Sequence, residues 1–276
     1  MDQQKTLRFN LNADVLARRV FWGCLGFELL LVFLDIFVNH YEWSPISSIR
    51  RMVNISREDS LSNWFSSFQM ITVGIVLWTT AAAVRNQARD TGGQKKEFYC
   101  WAILATFFVY MGIDDAIKFH ERIGTAFGRV LSYMEESFGA GILNHIHEAF
   151  PSYNWQMAFG PFFLAMGVFL LWFMWQQFAA SKLRYFLLTA VSLYAIAVGL
   201  DFVEGLETDP YEGIADYFST TEDRVEHMSK AVEEFLEMLG TTIFLTVFLK
   251  NALRLAREWT LTVSHNAAPT PTQQDG

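Results

Sequence analysis

A chain of 276 residues with 52% hydrophobic and 16% aromatic residues is too apolar for an ordinary soluble domain of this length. Its formal net charge of −8 argues against nucleic acid as a partner and against a basic anchor on a lipid surface. Its two cysteines, Cys24 and Cys100, imply no disulfide framework.

Six apolar stretches are long enough to cross a hydrocarbon layer about 30 Å thick as helices. They cover approximately residues 20–39, 63–84, 98–117, 156–178, 184–203 and 234–253. Because backbone in lipid must satisfy its own hydrogen bonds, they predict an all-α, polytopic membrane bundle of about six transmembrane helices, with short interfacial helices on the outer side. The expected parts are a cytoplasmic N-terminal segment with an interfacial helix (1–17), the membrane domain (18–258) and a flexible cytoplasmic tail (259–276).

The basic residues predict the orientation of this bundle. Most of the 21 lysines and arginines lie at the two ends of the chain or in the connections after the second and fourth stretches. Cytoplasmic loops carry such an excess, so both termini are expected inside (N-in/C-in), in a plasma membrane or the inner membrane of a Gram-negative cell. Most of the 29 acidic residues lie towards the opposite, outer side.

Acidic residues stand where the third stretch, YCWAILATFFVYMGI, ends: Asp114-Asp115, followed by His120-Glu121. Charges at such a place are costly and often mark an ion, proton or catalytic site. A structural alternative is that Asp114–Lys118 and Asp115–Arg122 form ion pairs within one continuous helix. The segment after Ile117 has helical spacing, either as a continuation of this helix or as a separate helix lying on the membrane.

Three other stretches bring acids to the same side. The fifth ends with Asp201 and Glu204, and the sixth opens with Glu233, Glu234 and Glu237. An acid in the first turn of a helix complements the helix dipole, which accounts for the position of Glu233. It accounts poorly for Glu237, which should already lie in the apolar part of the helix.

The first stretch contains Glu28 and Asp35 on one helical face. Glu28 lies about ten residues from the outer end, at a depth where a carboxylate must be protonated or paired. Gln69 in the second stretch reaches a similar depth and is the predicted hydrogen-bond partner of Glu28. A buried acid that only joins two helices is the structural alternative.

Together these acids predict a shared pocket on the outer side. Sets of carboxylates and imidazole suit Zn, Fe or Mn, so a divalent metal ion is the expected cofactor. The predicted ligands are Asp114, Asp115, His120, Glu121, Asp201, Glu204, Glu234 and Glu237.

The leading expectation is metal-dependent chemistry, hydrolytic or oxidative, on a lipid or other apolar substrate, with Glu237 or Glu28 moving protons. The alternative is a proton- or cation-coupled transporter or a subunit of a membrane complex. The inner halves of the stretches contain no acid to continue a path, which favours an enzyme slightly. The sequence contains no Gly-rich phosphate loop, His-Glu-x-x-His, Gly-x-Ser-x-Gly or Cys-x-x-Cys motif.

Overall fold

The computed structural model describes residues 5–9, 12–91, 95–138, 153–206, 210–255 and 259–263. Within these residues the chain forms nine α-helices and one two-stranded antiparallel ribbon, and a π-helical turn (Ile36–His40) extends the first helix. The elements are β1 (Lys5–Phe9), α1 (Ala13–Asp35), α2 (Ser47–Val53), α3 (Leu61–Thr91), α4 (Lys96–Ile117), α5 (Phe119–Phe138), α6 (Asn154–Gln177), α7 (Leu183–Glu204), α8 (Glu212–Phe218), α9 (Glu222–Leu255) and β2 (Trp259–Val263).

Five helical segments in the described part of the chain are long and apolar enough to cross a membrane. They are Ala13–His40, Leu61–Arg89, Lys96–Ile117, Asn154–Gln177 and Leu183–Glu204. Large apolar side chains on these helices are exposed, among them Phe33, Leu164 and Ile196. Such faces are unsuited to water, and the helices indicate a membrane-embedded protein. The sixth predicted span, 234–253, lies in α9 and is not among the five.

Helix α9 is the central helix of the bundle and packs against α1, α3 and α7. It runs antiparallel to α1. At one end, Asp14 of α1 forms ion pairs with Lys250 (2.6 Å) and Arg254 (3.0 Å) of α9. At the other end, His227 of α9 contacts Asp35 of α1. The two helices therefore lie side by side along nearly the whole length of α1.

The two ends of the chain meet in the ribbon, where Lys5–Phe9 pairs with Trp259–Val263. The expected interfacial helix over 1–17 and fully flexible tail from 259 are therefore wrong in part. Both strands contain β-branched or aromatic residues that favour extended backbone. Helix α1 begins only at Ala13, after Asn12 caps it by accepting from two backbone N–H groups. The remainder of the tail, 264–276, lies outside the described residues.

Helix α4 ends at Ile117, because Lys118 adopts a left-handed conformation with φ 51° and a new helix begins at Phe119. The continuous helix considered above is therefore wrong, and α5 is separate. Helix α5 packs against the start of α6, where Cβ atoms at Gly124 and Gly128 would overlap Trp155 and Asn154.

The two ends of the bundle differ in chemistry. We call the end where α1, α4 and α7 finish the acidic end, and the end where they begin the basic end. Towards the basic end the interior is a closed apolar core. Its largest members include Trp101, Phe108, Phe173, Phe244 and Phe248, whose rings contact one another in pairs. Cys24 and Cys100 lie at the edge of this core as free thiols.

Candidate functional site

A cavity of about 330 Å³ opens at the acidic end. Its walls come from the loop before α3, the junction of α4 and α5, the start of α6, the end of α7 and the first half of α9. Six carboxylates line it: Glu58, Glu121, Asp201, Glu204, Glu233 and Glu234. The shared acidic pocket predicted from the sequence thus has a counterpart in the structure, although its membership differs.

Two lysines, Lys118 and Lys230, lie among these acids. The Nζ of Lys118 is 3.3 Å from Glu121, and the Nζ of Lys230 is 2.8 Å from Glu204. Although burial lowers the pKa of Lys118, the surrounding carboxylates, Glu234 foremost, hold that pKa above its usual value. The pKa of Lys230 is also raised, because Glu204 outweighs the effect of burial. Both lysines therefore remain charged and neutralise part of the wall.

Glu233 and Glu234 form no ion pair with the described lysines and arginines at salt-bridge distance, which leaves the α9 side of the cavity the more acidic. Burial, followed by the charges of Asp201 and Glu234, raises the pKa of Glu233 to about 8. This shift favours the protonated form of its carboxyl group, which can lose the proton when a positive charge approaches.

The wall also carries hydrogen-bonding and aromatic groups. Tyr153 donates its hydroxyl to Glu204 at 2.9 Å, and Gln156 donates to Asp201 at 2.7 Å. The ring of Trp155 stands beside these groups on the first turn of α6. Tyr153 and Trp155 could not be selected from the sequence, because an aromatic residue at a helix end also serves as an interfacial anchor.

Asp114 and His120 hold the α4–α5 junction together behind this wall. Asp114 accepts the backbone N–H of His120 at 2.9 Å, and its other oxygen contacts the ring Nδ1 of the same residue. The predicted pairs Asp114–Lys118 and Asp115–Arg122 do not form among the described residues. The turn at Lys118 breaks the helical register that they require, and Asp115 instead accepts a hydrogen bond from Ser67 at 2.8 Å.

The deeper acids lie in the interior between the cavity and the apolar core. Glu237 is one turn further along α9 than Glu233. Glu28 accepts hydrogen bonds from Gln69 at 3.0 Å and from Thr242, which confirms the predicted Glu28–Gln69 contact. The second oxygen of Glu28 is buried and has no hydrogen-bond partner among the described residues.

The predicted metal ligands do not assemble into one centre. Glu121, Asp201, Glu204 and Glu234 line the cavity, whereas Asp114, Asp115, His120 and Glu237 are not on its wall. No group of three or more His, Cys, Asp or Glu side chains in the described part of the chain has a geometry that could hold a metal ion. Lysines occupy positions between the acids instead, so the structure gives the predicted metal centre no support.

Comparison with known proteins adds a family and no function. No curated protein and no solved structure matches the chain. Residues 24–252 match the family model described as "Domain of unknown function (DUF8692)". This match includes most of α1, the cavity and nearly all of α9. The chain therefore belongs to the family described as Domain of unknown function (DUF8692).

Proposed function

We propose that this protein crosses the plasma membrane six times, with both termini inside, and that its cavity binds the cationic group of a lipid or other amphiphile on the outer side. Its enzymatic use on such a substrate remains our leading hypothesis. The observation that carries the proposal is the composition of the cavity wall, where six carboxylates surround two lysines.

Several features support six crossings. The ribbon and the Asp14 ion pairs bring both ends of the described chain to the basic end, which favours an even number of crossings. Helix α9 accompanies α1 along its length and would supply the sixth span. Within the proposed span, Thr241 and Thr242 are buried and Glu234 lines the cavity, which makes a less apolar helix tolerable there. The basic end carries the lysine-rich and arginine-rich connections, which favours its cytoplasmic placement.

The charge balance of the cavity favours an organic cation as ligand. Each lysine already has a carboxylate partner, so the remaining acids give the wall an excess of negative charge. A substituted ammonium group would be attracted by this charge, and the rings of Trp155 and Tyr153 offer faces that suit alkylammonium groups. Binding of such a cation would release the proton that Glu233 holds.

The cavity opens at the acidic end and does not continue to the basic end, which helps to distinguish an enzyme or receptor from a transporter. Polar groups continue inward only as far as Glu28, Gln69 and Thr242. Beyond them the aromatic core fills the half of the bundle near the basic end. A substrate that enters and leaves from the outer side fits this arrangement better than conduction across the bundle.

Cation-coupled transport is the second candidate, favoured by the buried acids Glu237 and Glu28 below the cavity. In that function Glu28 would exchange a proton as the bundle rearranges. The Glu28→Gln variant would then abolish substrate-driven proton movement in proteoliposomes. An enzyme or receptor would show no such movement in the unsubstituted protein.

The binding proposal is tested with dodecyltrimethylammonium and purified protein in lipid nanodiscs, measured by isothermal titration calorimetry. The Glu233→Gln, Glu234→Gln double variant should bind at least about tenfold more weakly, about 1.4 kcal/mol. Asp216→Asn, which removes an exposed acid of α8 outside the cavity, is the matched control and should bind normally.

The same titration with Zn²⁺, Mn²⁺ and Ca²⁺ shows whether the cavity binds metal ions or organic cations. Equal loss of alkylammonium binding in the control variant, or tight stoichiometric metal binding without alkylammonium binding, would overturn the proposal.

A further inference from the structure

Three side chains, of which Ser56 lines the cavity, form a hydrogen-bonded line. The Oγ of Ser56 is 3.3 Å from Nδ1 of His227, and Nε2 of His227 is 2.9 Å from Oδ2 of Asp35. They come from the loop after α2, the first turns of α9 and the last turn of α1. No local sequence motif connects them, since Ser56 and His227 are 171 residues apart.

Asp35 is held firmly in this line and is 1% exposed. Its Oδ1 accepts the side chain of Asn39 at 2.9 Å and the backbone N–H of Ile55 at 3.3 Å. Its Oδ2 is left to the imidazole, which donates from Nε2. In the neutral ring, Nδ1 then carries a lone pair directed towards Ser56.

Ser56 stands where a ligand of the cavity can reach it. It lines the cavity and is half-buried, whereas Asp35 is shielded behind the ring of His227. Asn54 accepts both the backbone N–H (3.0 Å) and the hydroxyl (2.7 Å) of Ser56, which fixes this residue beside the ring. The hydroxyl proton thus has two acceptors within reach, and a rotation of the hydroxyl passes it from Asn54 to Nδ1.

We propose that Ser56 is a nucleophile, that His227 is its general base and that Asp35 positions His227, so that the cavity cleaves carboxylic esters. A serine hydroxyl becomes reactive when a neighbouring imidazole takes its proton and a carboxylate fixes the tautomer of that imidazole. The ester class rests on the proposed function. A cationic amphiphile whose headgroup sits among the acids would bring its ester bonds towards Ser56, which also lines the cavity. Ser56 lies at the level of the last turn of α1, because the backbone N–H of the preceding Ile55 donates to Asp35.

The reaction balances without a metal or redox partner. Ser56 Oγ attacks the ester carbonyl carbon while its proton passes to Nδ1 of His227. The tetrahedral intermediate collapses, the C–O bond to the alcohol breaks, and His227 protonates the departing alkoxide, which leaves an acyl-Ser56. Water then attacks the acyl group and gives its proton to His227. The acid is released, and Ser56 regains its proton from His227.

The test uses the full-length protein in nanodiscs with a fluorophosphonate probe, which phosphonylates activated serines, followed by peptide mass spectrometry. We expect a single adduct on Ser56. His227→Gln should slow its formation by roughly 100-fold or more, because it removes the general base. Ser56→Ala should abolish it. Ser48→Ala, which removes an exposed serine of α2 nearby, should label as the unsubstituted protein does.

Thermal unfolding of each variant shows whether the protein is folded. Asp35→Asn should slow labelling while the affinity for the probe stays unchanged. In a His227→Ala variant, added imidazole should act as the base in place of His227 and partly restore labelling. An adduct on another residue, no adduct, or an equal rate in folded His227→Gln would overturn the proposal. Dodecyltrimethylammonium binding with no adduct would overturn only this inference. An adduct without such binding would overturn only the cationic ligand.

Discussion

Glu28 and Asp35 are two buried acids of α1 whose surroundings differ. Both oxygens of Asp35 have partners, including the ring of His227. Glu28 receives its hydrogen bonds on one oxygen, and the other has no partner in the part of the chain that the structure describes. A fully satisfied carboxylate holds its neighbours in place, whereas a partly satisfied one is free to accept another proton or polar group. Of the two, Asp35 is the better positioning residue and Glu28 the better proton carrier.

The His227–Asp35 contact predicts how stability depends on pH. The hydrogen bond to Asp35 raises the pKa of His227, against the opposing effects of burial and of the charge on Lys230. Because the folded protein holds this proton more tightly than the unfolded chain, the stabilisation is fully present below the unfolded value of about 6.5. It is lost as the pH rises through the folded pKa.

Thermal unfolding in detergent between pH 6 and 9 checks this dependence. The midpoint should fall as the pH rises, in part because the raised pKa of Glu233 also favours the folded state only while that carboxyl is protonated. His227→Gln should make the fall less steep. That variant should also lose roughly 1.5–3 kcal/mol at pH 6, because Asp35 loses a charge-assisted hydrogen bond. His40→Gln at the same end of the bundle is the control and should keep the pH dependence. A fall that is as steep in His227→Gln as in the unsubstituted protein would contradict this prediction.

At the residue scale, the most informative property that the sequence provides is the position of each residue along its helix. Glu28 and Gln69 could be paired because helical rise alone places them at the same level. Ser56 could not be selected, because its chemistry depends on His227, which reaches it only after α9 has packed beside α1. An isolated serine in a polar loop carries no signal of its own.

At the scale of elements, α3 and α4 pack closely against each other at two glycines. A Cβ on Gly74 would lie 2.9 Å from the carbonyl oxygen of Ala105, and one on Gly112 would lie 2.7 Å from that of Ser67. The obstacles include backbone atoms, which cannot rotate away as a side chain can. These two glycines allow the close approach that gives α3 and α4 the most extensive contact in the bundle.

Substitution of Gly112 by Ala should therefore separate the two helices locally and cost about 1–3 kcal/mol of unfolding free energy. It should also disturb the neighbouring Ser67–Asp115 hydrogen bond. Gly167→Ala in α6 is the matched control, since nothing lies within 4 Å of the Cβ it would add. Thermal or urea unfolding in detergent measures both. If the two variants had the same unfolding free energy, α3 and α4 could move apart at Gly112 without loss of stability, which would contradict this prediction.

The elements themselves were largely predictable, and the junctions were not. Apolar length identified each of the five long apolar helices to within a few residues at most boundaries. The end of α4 at Lys118 was hidden, because a lysine in left-handed backbone costs energy and carries no sequence signal. That one conformation redirects His120 towards Asp114 and Lys118 towards Glu121, and so removes the ion pairs that a straight helix would give.

At the scale of the whole molecule, the chain is arranged so that its termini meet. The ribbon and the Asp14 ion pairs close the basic end, and the cavity opens at the other. The sixth span was predicted from its apolar half, while the acids and lysine of its first half make α9 differ from the other long helices. These charges are tolerable because α9 is central, a position that only the packed bundle reveals.

Cysteine labelling of intact cells tests the proposed orientation. In a variant with Cys24 and Cys100 replaced by alanine, a membrane-impermeant maleimide should label Ser48→Cys and Asp216→Cys from outside. It should not label Lys95→Cys or Lys182→Cys until the cells are opened. All four positions are exposed in the structure, so failure to label reflects location. The reverse pattern would invert the orientation, and labelling of all four before lysis would contradict a membrane-spanning bundle.

The partnership of α1 with α9 has a consequence for synthesis in the cell. The hydroxyl that Glu28 needs belongs to Thr242, 214 residues later in the chain. At roughly 5–20 residues per second, a ribosome takes about 10–40 s to make that interval. Among the described residues that precede α9, Gln69 of α3 is the only hydrogen-bond partner of Glu28, and α3 makes little contact with α1. Truncation before α9 should leave α1 poorly retained in the bilayer and open to the cell's membrane proteases.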